Sequence, residues 1–368
     1  MIRIDEIYNN TFWPWIDNHK PGTRTFFCDP PGRSDPEALF NFGRDDIPET
    51  DFVFLHDQEP VHLDLHKPLF EKVAGCNHDI RIANGNYRKG GHVIVSEQGE
   101  CVEELTRIYG WKSHYYFYHG WACRDWFRGY DKTFLIPRAQ DRTPTNTFMS
   151  PNRIVAGKRD HRVLFLYNVF KHGLDNNYIS APRVCPYENV DISQIALKYN
   201  NTYPDIEQVF LAAELPRYFA GEDTQVMSSY CLGNYAEAQD SLVYVPTETV
   251  YFGRRLHITE KTFKAIALEM PFVLIAPVGS LEYLRSYGFK TFGDVFDESY
   301  DLETDDVKRI EKVAKLLKDL DNLSPTERLN IHRRCLPIVI HNYEHFYGGN
   351  FDRVLWRELQ EMLNELCS

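Results

Sequence analysis

At 368 residues, 43% of them hydrophobic and 26% charged, the chain is long enough for two α/β domains and ordinary in composition for a globular protein. Its formal net charge of -12 argues against a general grip on nucleic-acid backbone, which needs clustered Lys and Arg. No apolar run approaches the roughly 20 residues that cross a bilayer, and the eight cysteines are scattered without a CxxC, which argues against a zinc knuckle or redox pair and fits reduced thiols.

In chain order, the opening MIRIDEIYNNTFWPWIDNHK carries acidic residues and no signal-peptide core, so a cytoplasmic protein is expected. Three short strands follow at 51–55 (DFVFL), 92–95 (HVIV) and 114–118 (HYYFY), each running into a polar loop: HDQEP, SEQGE and HGWACRDW. A helix over VEELTRIYGW ends at Gly110. Strand, polar loop, helix, strand is the pattern of a parallel sheet, in which ligands bind beyond the carboxyl ends of the strands. The polar stretch 131–147, DKTFLIPRAQDRTPTNT, has linker composition. After it the pattern repeats: a strand at 147–150, a loop PNRIVAGKRD, and a helix HRVLFLYNVFKHG with Val163, Leu166, Tyr167 and Phe170 on one face. Then come a strand SLVYV (241–245), a helix opening at Thr259, a buried strand FVLIA (272–276), a helix LEYLRSY and a short strand KTF (290–292). Helices at about 305–320, 325–336 and 351–366 finish the chain, the last with Leu355, Leu359, Met362 and Leu366 on one stripe. The expected organisation is a first α/β domain over 1–140, a second over 141–350, and a C-terminal helix over 351–368 that packs back on the first.

The stretch HITEKTFKAIALEMPFVLIAP (257–277) is the most informative. Phe263, Ile266, Ala267 and Met270 repeat at helical spacing, Thr259 is a suitable N-cap, and Pro271 closes the helix. Glu260 suits the positive end of a helix and Lys261 does not. Phosphate is the ligand that wants a cation and free amides together, and a carboxylate beside it can accept two ribose hydroxyls. A second helix start is decorated in the same way, with Asn152, Arg153, Lys158, Arg159 and Arg162 after the strand at 147–150. Two such starts converging on a diphosphate compete with the plainer reading of solvated surface charge.

The segment from VPTETV (245–250) through RRLHITEKTFKAIALEMPFVLIAP resembles the donor-binding segment of the α-1,3-fucosyltransferases. The run EKTFK…PF…GSLEYLRSYGFKTF…DESYD across 260–301, with HDQEP and SPNR…HR, is still more similar to a group of phage-encoded glycosyltransferases. The resemblance covers about half the chain, mostly the second domain. It implies a GT-B glycosyltransferase: α/β, with two Rossmann-like domains facing across a cleft. It also implies that Glu260 holds the ribose hydroxyls, that Lys261 and an arginine, Arg162 foremost, hold the diphosphate of a nucleotide-sugar, and that Glu248 faces the sugar or ribose. The first domain does not align with the fucosyltransferases, so the base and the sugar are left open.

Glycosyl transfer with inversion needs a group that takes the acceptor's proton. The first-domain loops offer Asp57, Glu59, Glu97 and His119, with Glu59 or Asp57 preferred; Asp57 capping a turn stiffened by Pro60 is the competing structural reading. No Asp-x-Asp follows a convincing strand, and cations can neutralise a leaving diphosphate, so no metal and no bound cofactor are expected. Inversion is expected by analogy with the fucosyltransferases. The expected partners are a nucleotide-sugar donor and a glycan acceptor, with no membrane. The alternatives are a phage enzyme that glycosylates a hydroxymethylated DNA base, and a module that holds a nucleotide or carbohydrate without catalysis. FDESYD (296–301) reads as a solvated turn, and the His341/His345 pair, without a third ligand, as structural.

Overall fold

The computed structural model describes residues 4–19, 24–28, 39–41, 52–75, 91–132, 136–219 and 232–367. The chain forms two compact units. One comprises Met1–Asp125, Arg254–His257 and Asp352–Ser368; the other comprises Trp126–Gly253 and Ile258–Phe351. Both are mixed α/β with parallel sheets.

The first unit is built on five strands: β1 (Arg24–Cys28), β2 (Leu39–Asn41), β3 (Phe52–His56), β4 (His92–Val95) and β5 (Lys112–Tyr115), in the order β2-β1-β3-β4-β5. All neighbours run parallel except β2, the antiparallel edge. Every residue of β4 is buried, as a central strand covered on both faces requires. Helices α1 (Lys67–Gly75) and α2 (Glu100–Tyr109) cover the sheet through a core that includes Phe54, Phe70, Val93, Val95, Leu105 and Trp111. Gly110, at φ 68°, ends α2 as the sequence predicts, its N–H bonding to Thr106 O. The third strand begins two residues and ends three residues earlier than predicted. The Tyr116 N–H makes the last bond to β4, at Val95 O; the Tyr118 N–H then turns to Tyr116 O and Ser96 Oγ, and helix α3 (Tyr118–Trp126) begins.

Two distant segments complete this unit. Arg255–Leu256 pairs antiparallel with Gln98–Gly99. Gly99 is required there, since a Cβ would meet Arg254 O at 2.1 Å. The C-terminal helix buries its predicted stripe of Leu355, Leu359, Met362 and Leu366. Its Asp352 pairs with Arg124, and its Glu358 accepts the Phe117 N–H.

The second unit has a parallel sheet of β6 (Asn146–Ser150), β7 (Tyr178–Ile179) and β8 (Ser241–Tyr244), with β6 in the middle. The predicted strand at 272–276 is buried and lies along β8 and its continuation, touching it by two parallel bridges, Tyr244 to Phe272 and Thr247 to Ile275. Pro246 sits between them and has no N–H to give, which breaks the ladder. Helix α4 (His161–Lys171) is buried continuously from His161 to Val169, rather than on one face as its spacing predicts. Helix α5 (Glu260–Ala267) ends before the predicted Met270. Glu269 adopts the left-handed conformation at φ 52°, and the Met270 N–H bonds back to Ala265 O. Arg142 donates to the carbonyls of Leu268 and Glu269 and closes that end.

Three further expectations are corrected here. KTF (290–292) forms no strand, because the Asn342 side chain satisfies both the N–H and the C=O of Lys290 and Glu298 takes the Phe292 N–H. FDESYD is not a solvated turn: Tyr300 and Asp301 are buried, Asp301 accepts the Leu281 N–H, and Tyr300 Oη accepts the Leu274 N–H. Helix α6 (Asp306–Asp321) matches its prediction, but α7 (Pro325–Tyr347) runs through Pro337 well beyond 336. On α7, His341 and His345 are committed to the carbonyls of Gly288 and Tyr287.

Candidate functional site

The second unit gathers its candidate residues around Glu248. This residue follows β8, and its side chain is completely buried. Its Oε2 accepts the Thr259 hydroxyl at 2.5 Å and its Oε1 accepts the Thr262 hydroxyl at 2.5 Å. Both threonines belong to the start of α5. The main-chain oxygen of Glu248 faces the start of α4, accepting from His161 Nε2 at 3.1 Å and from Arg162 Nη2 at 3.4 Å. One residue therefore ties together the two helix starts that the sequence singles out. Glu248 faces no open space: both its carboxylate oxygens are occupied by protein hydroxyls.

Thr259 precedes α5, but its side chain makes no cap to the helix. The hydroxyl is turned instead to Glu248, so the first amides of α5 have no side-chain acceptor from it. Lys261 donates to Thr249 Oγ1 at 3.0 Å, to Thr259 Oγ1 at 3.1 Å and to Glu260 Oε1 at 2.9 Å. A directed chain results, from Lys261 ammonium to Thr259 hydroxyl to Glu248 carboxylate. It aims the ammonium at the helix start, where a cation is otherwise unfavourable. The Lys261 side chain remains 26% exposed, so it can still reach a ligand. Glu260, the first residue of α5, is buried beside it.

Arg162 lies in the first turn of α4 and is 4% exposed. It donates from Nη1 to Ile154 O and from Nη2 to Thr247 O, each at 2.8 Å, and so clamps the loop after β6 to the loop after β8. Its Nε has no hydrogen-bond partner among the described residues. Burial, with Arg159 nearby, pushes its guanidinium down to about 9, while Glu248 and Glu260 oppose the shift. Those couplings place Arg159 and Glu260 near the same guanidinium. Arg159 is partly exposed, and among the described residues its guanidinium makes no hydrogen bond or ion pair. Asn152 is fully buried; its amide bonds Ser150 and Thr247, which makes it a staple between the strand ends. Arg153 is half-buried in the loop that Arg162 clamps.

His161 is a site residue that the sequence reading did not select. It is fully buried and stacks on Tyr251 at 4.9 Å between ring centroids, with 12° between planes. Burial, reinforced by Arg162, holds its pKa well below the ordinary histidine value, so the ring is neutral and donates from Nε2. Its only sequence signal is its place at the first turn after a GKRD loop.

In the first unit, Asp57 follows β3 directly and is completely buried. Its Oδ2 accepts the hydroxyls of Tyr8, at 2.7 Å, and of Tyr116. Oδ1 has no hydrogen-bond partner among the other described residues. Burial raises this carboxyl to about 6, against the opposing hydrogen bonds from Tyr116 and Tyr8. Glu97 is held differently: Arg255 grips it through two bonds, 2.5 Å to Oε1 and 2.8 Å to Oε2, and the Val61 N–H adds a third. Its carboxylate is thus used in seating the Arg255–Leu256 segment. Glu59 is partly exposed in the loop after Asp57. His119 is buried on α3, with its ring against Tyr118 and His257.

No known protein family matches the chain. No curated protein matches it either. Among solved structures, a trehalose-6-phosphate synthase, OtsA, is similar over 84% of this chain and 72% of that one, at 13% identity and a TM-score of 0.36. A likeness of that size carries no weight for fold or activity.

Proposed function

We propose that the protein is a glycosyltransferase that moves a sugar from a nucleoside-diphosphate sugar to an acceptor hydroxyl. The observation that carries the reading is the chain Lys261–Thr259–Glu248. It holds an ammonium against a helix start whose capping hydroxyl has been turned away. That arrangement costs stability in the free protein and suits a diphosphate. Arg159 supplies a second cation, and Arg162 supplies positive charge from below. Glu260, at the same helix start, is the group we assign to the ribose hydroxyls. In this reading the cations and the α5 amides neutralise the leaving diphosphate, so no metal ion is assigned to the step, and the reaction is taken to invert the anomeric centre. A glycan is the acceptor we favour, because the overall charge is acidic.

The test is release of nucleoside diphosphate from UDP-, GDP-, ADP- and dTDP-sugars, with and without glycan acceptors. One nucleotide class is expected to turn over, and Lys261→Ala to lose that turnover at least tenfold. Absence of turnover with every donor, together with absence of nucleotide binding, would contradict the proposal.

A further inference from the structure

We propose that the hollow at the C-terminal end of α5 is an accessory saccharide site, which seats one pyranose ring against Tyr343 and Arg138. The inference goes beyond the glycosyl-transfer reading and stands on residues of the second unit alone.

The hollow is lined by the end of α5 at Leu268 and Glu269, by the segment around Arg138, by Tyr343 of α7, and by Tyr130 and Tyr235. Its enclosed part measures about 40 Å³, and the rest is open. Such a shape does not engulf a ligand; it takes one edge of a ring. The walls are fixed. Arg142 donates to Pro137 O at 2.6 Å, to Leu268 O at 2.8 Å and to Glu269 O at 3.2 Å, which ties the segment before residue 139 to the end of the helix. The Ala139 N–H donates to Glu269 Oε2 at 2.8 Å. Tyr235 is held by its hydroxyl, which donates to Leu232 O at 2.8 Å.

Two features exceed what packing needs. The first is Glu269, in the left-handed conformation at φ 52°. Glycine is the usual residue at that place after a helix, and a longer side chain there is strained. The strain is matched by a buried carboxylate that pairs with Arg138 through Oε1. The second is Arg138 itself. Its guanidinium carbon lies 4.5 Å from the Tyr343 ring centroid, and its side chain stays 39% exposed. Its Nε–H is nevertheless buried, without a hydrogen-bond acceptor among the described residues. A buried donor of that kind calls for an acceptor oxygen from outside.

The chemistry of the walls selects a neutral polyhydroxyl ligand. The lining carries two guanidiniums, Arg138 and Arg142, and two carboxylates, Asp131 and Glu269, so it favours neither an anion nor a cation. Tyrosine rings are apolar on their faces and polar at their tips. A pyranose matches that pattern. Its C–H face covers a ring, and its hydroxyls accept from Arg138 Nε and donate to a carboxylate. Burial raises the Tyr343 phenol above its ordinary value, opposed by Arg138 and reinforced by Glu269 and Asp131, so the phenol stays protonated and is a donor as well. Helix α5 has eight residues, about 12 Å of length, and Lys261 stands at its other end. A sugar held here is therefore not the sugar being transferred.

The probes are the methyl pyranosides of glucose, galactose, mannose, N-acetylglucosamine, xylose and fucose, with uridine and adenosine as controls, added to the full chain. The readout is carbon-13 NMR of labelled tyrosine rings, with Tyr343 assigned by loss of its signal in Tyr343→Phe. At least one glycoside is expected to bind in the millimolar range and to move the Tyr343 signal. Its affinity is expected to fall about tenfold in Arg138→Gln, which removes the guanidinium, and in Tyr343→Leu, which removes the ring. In Lys261→Ala it is expected to stay within about twofold. Arg138→Gln changes a partly exposed side chain and decides the matter should Tyr343→Leu not fold. An unmoved Tyr343 signal with every glycoside overturns the inference, as does movement with uridine or adenosine alone. Binding that Arg138→Gln keeps in full, or that Lys261→Ala loses, overturns it too. Donor turnover without sugar binding at Tyr343 removes this site and leaves the glycosyl-transfer reading standing. Sugar binding at Tyr343 without nucleotide binding does the reverse.

Discussion

The hydroxyl of Thr259 donates to the buried carboxylate of Glu248 at 2.5 Å, and so does not cap the helix it precedes. This choice of partner leaves the first amides of α5 without a side-chain acceptor from Thr259. Thr262 completes the anchor from one turn on, also at 2.5 Å. Thr262→Val removes one donor and leaves a buried carboxylate oxygen unpaired, which costs about 1–3 kcal/mol. The melting temperature is expected to fall by roughly 2–4 °C for each kcal/mol, and Thr262→Ser to restore most of it. Equal melting of the Val variant and the wild type would show that the anchor contributes nothing.

A second prediction concerns the Glu97–Arg255 pair, whose side chains are 1% and 10% exposed. Removing one partner of a buried bidentate pair strands the other, at a cost of about 3–5 kcal/mol. Glu97→Leu and Arg255→Met should each lower the denaturation midpoint strongly, while the double variant with both substitutions should recover much of the loss. A double-mutant cycle in urea measures this. Additive losses would mean that the two residues do not act as a pair.

Asp57 gives a pH prediction with a definite sign. Its folded-state carboxyl is raised to about 6 from 3.8, chiefly by burial. Between those values the folded chain holds a proton that the unfolded chain releases. Stability from this group is therefore present below about pH 4 and is lost as pH rises through 6, a difference of about 3 kcal/mol. Asp57→Asn should melt higher than wild type at pH 7.5, and the gap should close towards pH 4. A lower melting temperature for the variant at pH 7.5 would show that the ionised carboxylate is a stabilising group.

How much of this was legible in the sequence differs between the two units. The start of α5 was readable because its signals are local: a threonine, a glutamate and a lysine in one turn ahead of an apolar stripe. The second helix start, with Arg159 and Arg162, was readable for the same reason. Glu248 stands among the candidates at a strand end, with a role supplied by resemblance alone; its buried anchoring role has no local sign, since its partners lie 11 and 14 residues away. Tyr8 was not legible at all: it reaches Asp57 across 49 residues, from a π turn that no periodicity announces. Glu97 read as a free loop carboxylate because Arg255, 158 residues on, returns to pair with it. The strand predicted at 290–292 failed similarly, its backbone partners coming from a single distant side chain, Asn342.

The central claim is that Lys261 and the α5 start hold a nucleoside diphosphate, and a thermal-shift panel tests it most directly. Purified protein and Lys261→Ala would be melted with UDP, GDP, ADP, CMP and dTDP, without added metal and then with magnesium or manganese. Lys261 is partly exposed and its ion pair with Glu260 is worth at most about 1 kcal/mol, so the two proteins should melt alike without ligand. One nucleoside diphosphate is expected to stabilise the wild type, and its affinity to fall about 10–100-fold in the variant, as for a lost charged hydrogen bond. Stabilisation of neither protein by any nucleotide, or of both equally, would contradict the account.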